Sequence, residues 1–361
     1  MHALIAGLTT LDVLHTLDHR PDPETKTTSV DHALSAGGPA TNAAVTVEAL
    51  ERLARTLRPR PAPAPRPEDA DHDEAPASSA TLLTAIGTGP AADLITADLA
   101  AAGVTILDAA SADSSAVGPA ISSIIEHPDG RMVASTNSRT PLDPDLGARL
   151  LDRALPTTGA PDVVLVDGHN PELARAALLV GVAPRENPAG LAEPDPFALV
   201  DAKPDHLRVL DGGSWKDWFT PLLPLVDVAI VSADFCPPLL AEPIGSDIAD
   251  FLRGFGITRT IRTRGALPIH WWWDGADGEV PVEAVDSAST LGAGDVLHGA
   301  LTWALGRMHE AGAPTPADPT PVIAFASAVA TASTRTFGTR RWRDDPALAD
   351  LVGGFLDGLA R

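Results

Sequence analysis

Apolar residues fall into two alternating kinds of run along the chain. Short, dense runs (HALIAGL, TLLTAIGTG, DVVLVDG, FALVDA, DVAIVSA and RTIRTRGA) read as buried strands. Longer Ala- and Leu-rich stretches lie between them, ATNAAVTVEALERLARTL, AADLITADLAAAG and PELARAALLVG, and read as helices. Strand, helix, strand in alternation predicts an α/β chain built on a doubly wound, mostly parallel sheet. Such sheets bind ligands beyond the carboxyl ends of their strands. The runs closing at Gly87, Gly168, Ala233 and Gly265 therefore send their last residues toward one crevice.

Two segments break this rhythm. Residues 12–36 alternate polar and β-branched positions (ETKTTSVDHAL) with no helical period. Residues 117–140 read as a hairpin, VGPAISSIIEHPDGRMVASTNSR, turning at Pro128-Asp129-Gly130. Paired with each other, they would form a small β-sheet lid over the crevice and keep water out of it. Residues 58–79, rich in Pro, Ala and acids, read as a solvated insertion between a helix and the next strand.

Composition narrows the class. The chain has 361 residues, 44% of them hydrophobic, enough for one large α/β domain with its own core. The formal charge of −22 argues against a nucleic-acid partner, whose phosphates call for Lys and Arg. A local basic pocket for an anionic substrate remains compatible with it. The single cysteine, Cys236, excludes an internal disulfide framework, fits a cytoplasmic setting and reads as a small buried hydrophobe. No apolar run is long enough to span a bilayer, so no membrane partner is expected. The opening MHALIAGLTTLDVL lacks a basic leader and reads as a first strand.

Two motifs carry chemistry. Ser289-Thr290-Leu291-Gly292-Ala293-Gly294-Asp295 runs into an apolar helix, so Gly292, Ala293 and Gly294 would offer backbone N–H groups at its positive end. That is an anion hole for a phosphoryl group in transfer, and Asp295 stands where it could take a proton from an attacking hydroxyl. Ala36-Gly37-Gly38-Pro39-Ala40-Thr41-Asn42 also opens a helix. Its glycines permit close approach to a ligand, and Asn42 can donate and accept at once, as a pair of sugar hydroxyls requires. Taken singly, each motif also reads as a plain glycine-rich helix start.

Together, the GG-x-A-x-N and S-T-x-GAGD elements resemble the ribokinase family of carbohydrate kinases (PfkB-type sugar kinases), over essentially the whole chain except 58–79, with the C-terminal AFASAVATASTRTFGTR stretch expected to be helical as it is in that family. DGGSWK, DVAIVSADF and LGAGDVLHGA are most similar to the branch around ketohexokinases and related ketose or sulfosugar kinases. The resemblance implies a single ribokinase-like domain over 1–361 and ATP-dependent phosphorylation of a small sugar, ketose-like by preference. ATP would carry Mg²⁺, and the chain would form a homodimer through the lid. It implies Asp295 as base, with Gly292, Ala293 and Gly294 as the anion hole. Asp12, Gly37, Gly38 and Asn42 would bind the sugar; Thr263 and Gly265 would bind nucleotide. Ser289 stands where the family has Asp, which leaves a K⁺ site open to question. Ser232-Ala233-Asp234-Phe235 stands where it has N-x-x-E; Asp234 is the nearest substitute and Phe235 cannot serve.

Other residues follow from position alone. Lys216, after the strand HLRVLDGG, and His298, one helical turn beyond Asp295, are candidate nucleotide contacts. Arg139 on the lid and His169 at a strand end are candidate substrate contacts. Trp271, Trp272 and Trp273 read as packing residues, and no spacing suggests structural zinc. Two rival readings stay open: a nucleoside kinase on the same fold, disfavoured by the lack of Tyr, and a catalytically silent sugar or nucleotide sensor.

Overall fold

The dense apolar runs form strands whose residues are buried on both faces, as in a sheet covered by helices on each side. The structure is a computed structural model describing residues 1–22, 24–58, 78–111, 118–136, 140–143, 145–182, 204–240, 244–313 and 315–360. The chain begins β1 (Ala3–Ala6), β2 (Thr10–Thr16), β3 (Asp31–Gly37) and α1 (Pro39–Leu57). It continues β4 (Ala80–Thr84), α2 (Pro90–Ala102), β5 (Thr105–Asp108), β6 (Ala120–His127), β7 (Gly130–Ser135) and α3 (Leu146–Thr158). Then come β8 (Val163–Val166), α4 (Pro171–Leu178), β9 (Leu207–Gly212), β10 (Val228–Val231), α5 (Gly245–Arg253), β11 (Arg259–Arg264), β12 (Leu267–Trp273) and β13 (Ala276–Val280). The chain closes with α6 (Ala293–Glu310), α7 (Thr320–Ser333) and α8 (Ala347–Leu359). The FALVDA run, nearly all of the 58–79 insertion and Arg139 lie outside the described residues.

Nine strands form the main sheet in the order β13-β12-β11-β10-β9-β8-β1-β4-β5. From β5 to β11 every pairing is parallel; β12 and β13 add an antiparallel edge. The expected mostly parallel α/β sheet is thus present, and its carboxyl ends face one side. The second sheet, β3-β2-β6-β7, joins the two segments that broke the helical rhythm. β2 pairs antiparallel with β3 and parallel with β6, so strands far apart in sequence make one small sheet.

Two expectations change. Cys236 is exposed: it stands in the turn after β10, ahead of Pro237-Pro238, and Phe235 takes the buried place beside it. The AFASAVATASTRTFGTR stretch is helical only to Ser333; beyond it the backbone leaves the helix, with Gly338 at a φ of +84°. The tryptophans alternate as a strand requires, Trp271 and Trp273 buried and Trp272 against Gly245.

α1 and α6 cross where Gly299 meets Ala43. A Cβ on Gly299 would lie 2.7 Å from the Ala43 carbonyl oxygen and 2.7 Å from Thr46 Cβ. Only a glycine lets the two backbones come this close. Gly299→Ala should lower unfolding free energy by about 1–3 kcal/mol, since backbone must move. The same change at exposed Gly354, whose Cβ would meet nothing, should raise it by roughly 1 kcal/mol through helix propensity. Urea unfolding of both variants checks the opposite signs.

Candidate active site

The crossing sets two helix starts side by side, and neither has a side-chain cap. Gly38 precedes α1 at a φ of +97°, and any Cβ there would strike the Leu8 carbonyl oxygen at 2.4 Å. Gly37 touches Asp12: its Cβ would lie 2.0 Å from Asp12 Oδ2. Gly292 turns the chain into α6 at a φ of +74°, leaving first-turn N–H groups at the helix's positive end. Across this junction the Asn42 amide donates to Asp295 Oδ2 at 2.8 Å. Residues 253 positions apart in sequence thus meet.

Asp295 sits amid negative charge. Desolvation, then the Asp211 carboxylate and more weakly Asp12, push its pKa up to about 7; the Asn42 hydrogen bond and His298 work the other way. A carboxyl poised near neutrality suits a general base. Asp12 is 6% exposed and is also raised by desolvation, against a 2.6 Å hydrogen bond from Thr10 Oγ1 and the charge of Arg340. His298 Nδ1 lies 2.7 Å from Asp211 Oδ2, with both side chains nearly buried. Burial opposes the imidazolium, but Asp211 and then Asp295 outweigh it and hold the His298 pKa above its ordinary value. Among the described groups, His298 is therefore an interior countercharge rather than an exposed contact.

Between the lid and the carboxyl ends of the sheet lies a cavity of about 220 Å³. Thr10, Ser122, Ser135, Thr140, His169 and Asn170 help to line it, a hydroxyl-rich wall with one imidazole. Asp167, just after β8, fixes the backbone of the lining residues Leu8 and His169, accepting from the N–H groups of Leu8, Ala40 and His169 at 2.8, 3.2 and 2.8 Å. Burial raises the Asp167 pKa.

The other half of the crevice holds the remaining candidates. Thr263 is the last residue but one of β11, and Gly265 makes the turn into β12 at a φ of +63°. Lys216 Nζ donates to the Ser214 carbonyl at 3.3 Å and stands over the Phe219 ring at 5.2 Å. Ser232 donates to the Gly213 carbonyl and accepts from the Asp234 N–H at 3.0 Å, which closes a turn; Asp234 itself is exposed. Phe235 is fully buried against Trp215 and Phe219, with Gly212 beneath it. The position that would carry a carboxylate in N-x-x-E is thus built into the core.

Sequence reasoning missed Asp211, Arg340 and Glu126. Asp211 lies near the end of β9 in the DGGSWK segment, where Lys216 is the one candidate contact the sequence offers. Arg340 lies in the stretch taken for helix. Glu126, on the lid, accepts from Ser289 Oγ at 3.0 Å, so the serine found in place of an acidic residue has an acidic residue as its partner.

No protein-family model matches the sequence, and no curated protein matches it. Solved structures do match in fold. The ribokinase of Thermotoga maritima is 16% identical, with a TM-score of 0.64 over 99% of each chain. The Arabidopsis thaliana ribokinase complexed with ribose and ATP is 14% identical, with a TM-score of 0.63 over 98% of each. The Xylella fastidiosa fructokinase with bound ATP is 15% identical, with a TM-score of 0.62 over 100% of this chain and 99% of that one.

The raised Asp295 pKa has a stability consequence. The folded chain holds this proton more tightly than the unfolded one, so wild type loses stability as pH climbs from about 4, the unfolded value, to about 7. Asp295→Asn removes that loss. Its stability relative to wild type should grow across the window and level off above it, by urea unfolding at a series of pH values. A difference that stays flat would contradict the placement of this carboxyl.

Proposed function

From the ribokinase-like fold shared with these sugar kinases, we propose that the protein transfers the γ-phosphate of ATP to a primary hydroxyl of a small sugar or sugar derivative, ketose-like by preference. The observation that carries this reading is the junction of the two helix starts: a carboxyl poised near pH 7, held by Asn42, at the uncapped Gly-Ala-Gly end of α6. The substrate oxygen attacks the γ-phosphorus, the bond to the ADP oxygen breaks, and the hydroxyl proton passes to Asp295. Gly292, Ala293 and Gly294 receive the charge on the phosphoryl oxygens. Mg²⁺ arrives with the nucleotide as part of the substrate.

In this reading the sugar lies beneath the lid, near Asp12, Gly37, Gly38, Asn42 and His169, with Arg139 outside the described residues. The nucleotide lies across Thr263, Gly265, Lys216, Ser232 and Asp234, near residues 325–337, and His298 acts from beneath through Asp211. A K⁺ ion beside Ser289 would be an accessory to this reaction rather than a participant in it. Around Ser289 the hydroxyl is given to Glu126, and the Thr334 carbonyl accepts from Ala288 and Ser289 N–H groups at 2.8 and 3.2 Å. No described helix is long and apolar enough to cross a membrane. A homodimer through the lid fits β7, an edge strand exposed at every residue, with Met132 and Val133 more than half accessible.

ADP release in the presence of ketoses, aldoses, deoxy-ketoacids, sulfosugars and nucleosides tests the substrate class. Turnover with nucleosides alone would favour a nucleoside kinase, and binding without ADP in any arm a sensor. Asp295→Asn should lower kcat by roughly 10²–10⁴-fold while calorimetry still detects both ligands. Near wild-type turnover would remove Asp295 as base. For wild type, kcat/KM should climb through about pH 7 as the base ionises. Size measurement at micromolar concentration tests the dimer, and a monomer there would exclude it.

A further inference from the structure

A primary amide presents an oxygen on one side and an NH₂ on the other, nearly equal in shape, so Asn42 alone does not determine which side faces Asp295. If the oxygen faced the carboxylate, two acceptors would meet and the base would be held in its protonated form. Something else must fix the amide.

Arg340 does so. A guanidinium only donates, and its donors form a rigid planar fork. Nη1 donates to Asn42 Oδ1 at 3.0 Å, which leaves the amide NH₂ to meet Asp295 at 2.8 Å on the far side. The fork is itself immobilised: Nε and Nη2 donate to Asp98 Oδ2 at 3.1 and 2.9 Å, Nη2 to the Ala36 carbonyl at 2.6 Å, and Nη1 to the Thr339 carbonyl at 3.0 Å. Asp98 also accepts from the Ala36 N–H at 3.0 Å, so one carboxylate pins both the guanidinium and the strand leading into Gly37. Arg340 is 13% exposed.

We propose that Arg340 is a positioning residue for phosphoryl transfer: its guanidinium locks the Asn42 amide so that only the N–H side can meet Asp295. This role rests on Asp295 being the base. The charged groups that act on that carboxyl are His298 from its own helix, Asp211 at the end of β9 and Asp12 on β2; Arg340 stands behind Asn42. Asp98 balances the charge of Arg340, so the arginine acts on Asp295 chiefly through the amide it orients rather than through its field. Its field does reach Asp12, where it favours the ionised form.

The test is the pH profile of kcat/KM for wild type, Arg340→Met, Asn42→Ala and the double variant. A hydrogen bond to a charged group is strong enough to move a titration by about one unit. Each single variant should therefore shift the rising limb upward by about one unit, and the double variant no further than Asn42→Ala alone. An Arg340→Met limb that coincides with wild type overturns the proposal, as does a shift that adds in full to that of Asn42→Ala. If Arg340→Met is too unstable to assay, Arg340→Ala is titrated with guanidinium ion. Return of the limb toward wild type supports the positioning role; a recovered melting temperature with an unmoved limb overturns it. Asp295→Asn separates the two levels of inference. If that variant stays active, the assignment of the base falls and the role of Arg340 with it. If it is inactive while Arg340→Met keeps the wild-type limb, only the role of Arg340 falls.

Discussion

The close crossing of α1 and α6 at Gly299 and Ala43 is the constraint on which the rest of the site depends. Helices of ordinary surface composition pack with their axes about 8–10 Å apart. Here one residue without a side chain sets the backbone of α6 directly on the carbonyl of Ala43. The neighbouring residues on the two helices are then forced together, Asn42 from one and Asp295 from the other. Both helices also start at this point, so their positive ends converge on the same small volume. The convergence makes that volume attractive to anions.

The cost of such a place is that its carboxylates resist ionisation. Asp12, Asp167 and Asp295 all have raised pKa values, with burial the largest cause in each. The chain answers with a few placed donors and cations rather than with a basic surface. His298 faces Asp211 from inside, Asn42 donates to Asp295, Thr10 donates to Asp12, and backbone N–H groups converge on Asp167. Arg340 ties several of these partners to the lid strand. In the proposed reaction, competence would rest on orientation among these groups.

Much of this was legible in the sequence. Period and composition gave the parallel sheet, because buried strands bounded by glycine differ plainly from Ala-rich helices. The β segments that pair as the second sheet stood out because they broke the pattern. The two glycine motifs named Gly37, Gly38, Asn42, Gly292 and Asp295, since close approach and positive φ leave a local mark. What stayed hidden is non-local. Arg340 lies 298 residues from the amide it holds, and His298 meets Asp211 from another element of the fold. A cation in an otherwise small and apolar stretch, TFGTRRW, was the available clue to the first. The Glu126–Ser289 pair carried no clue, because a lid residue and a loop residue share no spacing rule. The Phe235 substitution was visible, but its burial under the Trp215 cluster needed the fold.

The His298–Asp211 pair has a consequence for how the protein would behave in concentrated electrolyte. A body with a formal charge of −22 repels itself, and mobile ions relieve that strain over a screening length of roughly 10 Å or less at 0.1 M and above. An ion pair whose side chains are 6% and 5% accessible lies largely beyond that relief. Adding salt would therefore change the outside of this molecule far more than its inside. Ionic strength would then be a dial for the compactness of the chain, while the field at Asp295 is set by the fold and stays nearly the same in dilute and in saline surroundings.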